Sequence, residues 1–211
     1  MLGLDIYTII ARVLVLLIAF TIHELAHALT ADYLGDPTPR RMGRITLNPL
    51  KHLDPFGTIM LIIAGFGWAK PVMVNPMNMR GNPRTSMAIV AIAGPLSNLV
   101  MAAIAAIFFR LGLVDLNTLI VQSASSLTFA EIIYQFLMIN LALAFFNLIP
   151  VPPLDGSKIL FAILPAELVY RLRPLEQYGF MILFGVVFFV PQVLDVLVWQ
   201  PVQTTARILI G

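Results

Sequence analysis

The stretch IYTIIARVLVLLIAFTIHELAHALTA, residues 6–31, decides how the rest of the chain is read. As a helix rising 1.5 Å per residue it is longer than the roughly 30 Å hydrocarbon layer of a bilayer. Between Arg12 and His23 it carries no charged side chain. It therefore reads as a membrane-spanning helix. Toward its end, however, it carries His23, Glu24 and His27. Ionisable groups inside a membrane segment are costly and are usually functional. The two histidines are four residues apart, which stacks their imidazoles on one helix face within reach of a single tetrahedral ion. Glu24 is placed to take a proton from a water polarised by a zinc ion at that position. The bland reading, a structural pair in a soluble core, is expensive in lipid. His23 lies about 26 Å along the axis from Ile6, which puts the site in the inner leaflet near the cytoplasmic face.

Composition supports a lipid environment throughout. The chain has 211 residues, 59% hydrophobic and only 11% charged, against about a quarter charged in soluble domains. Cysteine is absent, so disulfides and thiolate metal sites are excluded. There are three histidines, His23, His27 and His52, and any imidazole site must draw on them. No basic patch alternates with aromatics, which argues against a nucleic-acid partner. The N-terminus lacks a basic n-region and carries Asp5, so it reads as the start of the first helix and not as a signal peptide.

The expected fold is an all-α multi-pass membrane protein, with about four transmembrane helices arranged around a zinc site. The helices are expected at about 6–31, 86–109, 128–149 and 178–199, within a single membrane-embedded domain spanning 1–211. The apolar run Thr58–Phe66 is too short to span. The segment of about 56–74 reads as re-entrant or interfacial. Arg44–Leu47 and Lys70–Val74 look extended, which suggests short β-hairpin segments between helices one and two. Pro150, Pro152 and Pro153 end the third helix. Asp155-Gly156 turns the chain, and Ser157–Leu164 reads as a short interfacial helix. Basic residues crowd the loop between helices one and two, and that between three and four. By the positive-inside rule both loops are cytoplasmic and both termini lie outside. Arg12 is left near the outer face, within snorkelling reach of headgroups.

Two histidines do not complete a catalytic zinc site, which needs a third protein ligand. His52, Asp54, Glu131 and Asp155 are candidates, and spacing leaves the choice open. Two further motifs bear on it. Asn147-Leu148-Ile149-Pro150-Val151-Pro152-Pro153-Leu154-Asp155-Gly156 follows the pattern Asn-x-x-Pro-x-x-x-x-Asp-Gly, and Gly94-Pro95-Leu96-Ser97-Asn98 combines small residues with an Asn. With His23-Glu24-Leu25-Ala26-His27, and in this order, they resemble the site-2 protease family of intramembrane metalloproteases (peptidase family M50), in its short form without PDZ or CBS domains. The resemblance covers about residues 6–170. It implies one catalytic zinc ion, Asp155 as its third ligand beside His23 and His27, and a role for Asn147 near the substrate carbonyl.

The function expected from this resemblance is hydrolysis of a peptide bond within or near a transmembrane segment of a membrane-protein substrate, with Glu24 and Asn147 as the catalytic side chains. The alternative is a membrane metal or ion transporter using the same polar cluster. Expected partners are the lipid bilayer and a transmembrane protein or peptide. Homo-oligomerisation is compatible with the sequence, and the expected location is the cell membrane with the site toward the cytoplasm. Asn147 could donate its amide to a developing oxyanion or simply pack its helix. Asn98 and Asn140 read as interhelical hydrogen-bond glue, and Gly94 and Ser97 as small residues allowing close helix approach. His52 reads as a polar residue of a solvated loop or as a neighbour of the site. Gly65 to Val72 reads either as a hairpin able to pair with an unwound substrate or as an interfacial Trp68 and Lys70 anchor.

Overall fold

The computed structural model describes residues 6–64, 67–115 and 128–211. Helix α1 (Ile6–Leu34) runs three residues further than its apolar run suggested. It stops at Gly35, whose φ of +113° lies in the region that favours glycine. The Gly35 N–H bonds to the Asp32 carbonyl at 3.0 Å and the Asp36 N–H to the Ala31 carbonyl at 2.9 Å, the paired bonds of a Schellman ending.

Asp36, fully buried, organises the chain after α1. Its carboxylate accepts from the Thr38 N–H at 3.1 Å and hydroxyl at 2.6 Å, from the Asn75 N–H at 2.6 Å, and from Asn78 Nδ2 at 3.0 Å. Burial pushes the Asp36 carboxyl up, but these hydrogen bonds outweigh it and hold the group below the ordinary carboxylate range. A depressed folded value stabilises the loop above about pH 4 and loses that contribution as the pH falls through it. Replacing Asp36 by Ala is expected to remove the acceptor shared by Thr38, Asn75 and Asn78, at about 1 kcal/mol for each hydrogen bond lost. Amide exchange at Asn75 and Asn78 should quicken while exchange in the helices stays unchanged. Equal protection in the variant would show that the loop is held by something else.

Residues after the single turn α2 (Thr38–Arg41) lead to α3 (Pro55–Ala64). The Asp54 carboxylate caps α3 by accepting the Gly57 N–H at 2.8 Å. Gly57 faces Trp68 so closely that a Cβ there would overlap the Trp68 carbonyl oxygen. The flanks of α3 are joined by a Leu53–Ala69 antiparallel bridge and by Lys70 N–H donating to the His52 carbonyl at 2.8 Å. This corrects the expected β-hairpin segments. Among the described residues no strand forms, and the pairing stops at one bridge. Pro71 cannot donate, and the Val72 N–H is turned away to the Glu24 carboxylate at 2.9 Å. Gly65 and Phe66, part of the expected hairpin, lie outside the described residues.

Two long helices then pack against α1. Helix α4 (Pro83–Arg110) opens on Pro83 with Asn82 as its cap, the Asn82 Oδ1 accepting from the Arg84 N–H at 2.9 Å. Helix α5 (Phe129–Asn147) opens on a Thr128 cap whose hydroxyl accepts the Glu131 N–H at 3.2 Å. Cross-contacts fix their directions: His23 meets Asn98 and His27 meets Val90, so α1 and α4 are antiparallel. Asn98 meets Asn140 and Phe108 meets Phe129, so α5 is antiparallel to α4 and parallel to α1. Buried Ala102, Ala105 and Ala106 let α4 approach Leu137 and Leu141 of α5.

After α5 the prolines redirect the chain into α6 (Asp155–Ile163). Gly156 sits against the Leu148 and Ile149 carbonyls, where a Cβ would overlap them. The remainder is α7 (Ala166–Leu172), a 3-10 stretch Arg173–Tyr178, α8 (Gly179–Phe189), α9 (Pro191–Leu194), a π turn Asp195–Trp199, and α10 (Gln200–Ile210). The expected single helix at 178–199 is corrected here. The residue before a proline is driven out of the α region, and Val190, ahead of Pro191, has φ −133° and ψ 57°. The fourth apolar stretch is Ala166–Phe189, 24 residues long. Four described helical stretches, within α1, α4, α5 and 166–189, are thus long and apolar enough to cross a membrane. At the far end, Arg110 donates to the Ile208 and Leu209 carbonyls at 2.7 and 2.6 Å, tying the end of α10 to the end of α4.

Candidate metal centre

The side chains of His23, His27 and Asp155 converge, all three buried. His23 and His27 stack on one face of α1, and their Nε2 atoms are 3.0 Å apart. Asp155, at the first position of α6, sets Oδ2 at 3.2 Å from each. The proline-rich break after α5 is what turns that carboxylate back toward α1. Its other oxygen, Oδ1, accepts from Lys158 Nζ at 3.1 Å, one helical turn on.

The outer nitrogens of both rings are engaged by α4. His27 Nδ1 meets the Val90 carbonyl at 2.7 Å and His23 Nδ1 meets Asn98 Oδ1 at 2.6 Å. Both partners are oxygens that only accept, so each Nδ1 carries a proton, and in the neutral imidazole each Nε2 presents a lone pair. Two lone pairs and a carboxylate oxygen then face one another with no proton between them. Such a buried set of acceptors calls for a cation. Tetrahedral zinc, with nitrogen and oxygen ligands at 2.0–2.2 Å, would hold them about 3.3 Å apart, close to the separations found. Gly94 makes the room. A Cβ there would lie 2.6 Å from His23 Nε2 and nearer still to His27 Nε2. The residues present therefore fit a zinc ion.

Glu24 stands beside this cluster without joining it. Its Oε2 accepts the Val72 N–H and lies 3.8 Å from Nη2 of the buried Arg44. Arg44 is pinned in turn by the Lys51 carbonyl at 2.7 Å and by the Lys70 carbonyl. Nothing in the sequence alone singled out Arg44, because the fold of the 44–72 loop is what brings it to α1.

The other candidates for the third ligand lie elsewhere. His52 is fully buried, not solvated, and its Nε2 meets the Thr46 carbonyl at 2.8 Å. Asp54 caps α3, and Glu131 sits in the first turn of α5. Asn147 donates to the Leu143 carbonyl of its own helix at 2.9 Å, while its side chain also borders the cavity described next. Asn98 Nδ2 donates to Asn140 Oδ1 at 2.8 Å, an interhelical bond of the kind expected. Ser97 instead bonds within its own helix, to the Gly94 carbonyl at 2.7 Å.

A cavity of about 1200 Å³ opens from His23, Glu24, His27 and Asp155. It runs along α1 to Arg12, a distance of about 17 Å at 1.5 Å per residue, where Arg12 Nε donates to Gln135 Oε1 at 3.2 Å. One wall is an aromatic file in which the Trp68 and Phe180 rings are 5.8 Å apart and Phe184 and Phe188 stack at 5.8 Å. Pro71, Val72 and Val74 border it near the cluster.

The sequence profile described as "Peptidase family M50" matches residues 11–114 and 110–191. The chain is 44% identical over 179 residues to "Putative zinc metalloprotease YwhC" of Bacillus subtilis, the match covering 85% of this chain and 80% of that protein. It is 32% identical over 169 residues to "Putative zinc metalloprotease Rip2" of Mycolicibacterium smegmatis, covering 79% of this chain and 62% of that one. With the Rip2 protein of Mycobacterium tuberculosis strain H37Rv it shares 30% identity over 181 residues, 83% of this chain and 65% of the relative. The chain thus spans less than two thirds of either mycobacterial protein. No solved structure matches it. A profile match over most of the length, and a relative of this identity covered over four fifths of its own length, establish that the chain belongs to peptidase family M50.

Proposed function

We propose that this protein is a zinc metalloprotease that cuts a peptide bond within or near a transmembrane segment of its substrate. The observation that carries the reading is the convergence of His23 Nε2, His27 Nε2 and Asp155 Oδ2, with the Glu24 carboxylate alongside, on the wall of an apolar cavity between membrane-length helices. His23, His27 and Asp155 would hold one zinc ion. When bound, that ion polarises a substrate carbonyl and makes water a competent nucleophile near neutral pH.

Glu24 takes the proton of the attacking water and delivers it to the leaving amine. The Val72 N–H and the Arg44 guanidinium both address Oε2, which leaves Oε1 as the oxygen that handles the proton. Asn147 also borders the cavity, and on releasing the Leu143 carbonyl its amide would stabilise the developing oxyanion. The substrate is an apolar helix that unwinds locally, because a helical carbonyl is already bonded and sterically shielded. Its extended portion lies along 70–74, and α3 with its joined flanks forms a re-entrant element carrying that edge. The basic loop 35–82 and the stretch 148–173, which carries Lys158, Arg171 and Arg173, face the cytoplasm of a cell membrane, and both termini face outward. The described elements act as one membrane-embedded peptidase domain.

The test is to reconstitute the zinc-loaded protein with a single-span substrate in proteoliposomes. Fragments ending inside the apolar segment are expected. Movement of zinc across the bilayer without fragments would replace this reading with transport.

A further inference from the structure

We propose that Asn140 is a positioning residue that determines which nitrogen of His23 carries the proton, and so keeps Nε2 bare toward the ligand cluster. This rests on the metal reading above, and it turns on a chain of hydrogen bonds crossing three helices. At one end is a backbone carbonyl, Phe136 O, which can only accept. The group it meets at 2.8 Å is therefore Asn140 Nδ2. That turns Asn140 Oδ1 toward α4, where it takes Asn98 Nδ2 at 2.8 Å. Asn98 is thereby left with its oxygen toward α1, and that oxygen meets His23 Nδ1 at 2.6 Å. Nδ1 must carry the proton, and Nε2 keeps its lone pair for the cluster. Each link is directional, so the polarity set at Phe136 arrives unchanged at the imidazole.

Both asparagines are fully buried, so solvent offers neither amide an alternative partner. With Asn140 in place, a half-turn of the Asn98 amide would set its oxygen against Asn140 Oδ1. Without Asn140 that opposition disappears. The Asn98 amide can then turn its NH₂ to His23 Nδ1, which moves the imidazole proton to Nε2 and obstructs the metal position. His27 needs no such relay, because its Nδ1 is fixed directly by the Val90 carbonyl. Plain interhelical packing, the role first expected of these residues, gives no reason for His23 and His27 to respond differently.

The full chain, with ¹⁵N-labelled histidine and in lipid without metal, supplies the test. In the wild type, NMR should show His23 and His27 both protonated at Nδ1. In Asn140→Leu, His23 should gain an Nε2-protonated population, and zinc affinity measured by chelator competition should fall about 10–100-fold, the usual cost of losing a ligand's supporting hydrogen bonds. His27 should keep its Nδ1 proton and so report an intact fold. Asn140→Asp, kept neutral by full burial with its O–H on the Phe136 carbonyl, leaves a bare oxygen toward Asn98 and should retain both the His23 tautomer and the affinity. An unchanged His23 tautomer in Asn140→Leu, or a loss in Asn140→Asp, overturns the proposal. If Asn140→Leu also disturbs His27, the smaller Asn140→Ala is read by the same criterion. Should the wild type bind no zinc, the metal reading falls, while the tautomers of the metal-free protein still decide the relay.

Discussion

Substituting Gln for Glu24 is expected to slow peptide-bond cleavage about 10²–10⁴-fold, the range for removing a general base, with zinc still bound. Glu24 contributes no atom to the converging set, so stoichiometry by elemental analysis should match the wild type. Gln is the informative replacement. Its amide oxygen can go on accepting the Val72 N–H, which Glu24 Oε2 now receives at 2.9 Å, and it keeps the volume beside Arg44. Both replacements remove the charge facing Arg44, but Ala would also strand the Val72 N–H and empty the space that Glu24 fills. Single-turnover fragment formation from a transmembrane substrate is the measurement. A rate within tenfold of wild type would remove Glu24 from the role of base.

Asp155→Ala is expected to weaken zinc binding about 10²–10³-fold. That magnitude follows from sharing the roughly 10–16 kcal/mol of a four-ligand zinc site among its ligands and allowing about 1.4 kcal/mol per tenfold. Lys158 adds to the loss. Its ammonium now sits on Asp155 Oδ1 at 3.1 Å, and without that carboxylate it would stand uncompensated beside a cation. His52→Ala is the control, because the His52 ring is committed to the Thr46 carbonyl. It should disturb the 44–54 loop and leave zinc binding unchanged. Competition with a chromophoric chelator reads both variants. The opposite ranking would move the third ligand to His52.

Part of this site was legible in the sequence because it is local. The spacing of His23 and His27, and their presence inside an apolar run, follow from helix periodicity and the cost of polar groups in lipid. The third candidate ligand was not local. Asp155 reaches α1 only because the prolines after Asn147 fold α6 back, so the residues alone left four contenders and a resemblance favoured one. Composition also could not divide the last apolar run. Residues 178–199 look like one span by hydropathy, yet the backbone restriction ahead of Pro191 ends the helix at Phe189. Lys70–Val74 looks like a strand by pattern, but its Val72 donor is claimed by a side chain in α1. His52 illustrates the same limit, a polar loop residue whose burial depends on contacts made by Thr46 and Lys70.

The three converging side chains belong to two elements far apart in sequence, α1 and α6. An ion bound there would act as a cross-link between residues 27 and 155, closing a long loop whose entropy the unfolded chain would otherwise recover. Occupancy and cohesion are then thermodynamically linked. Metal at a hundredfold excess over its Kd would add about 2.7 kcal/mol of stability. By reciprocity, any load that levers α6 from α1, such as an inserted chain, would loosen the ion by the same free energy.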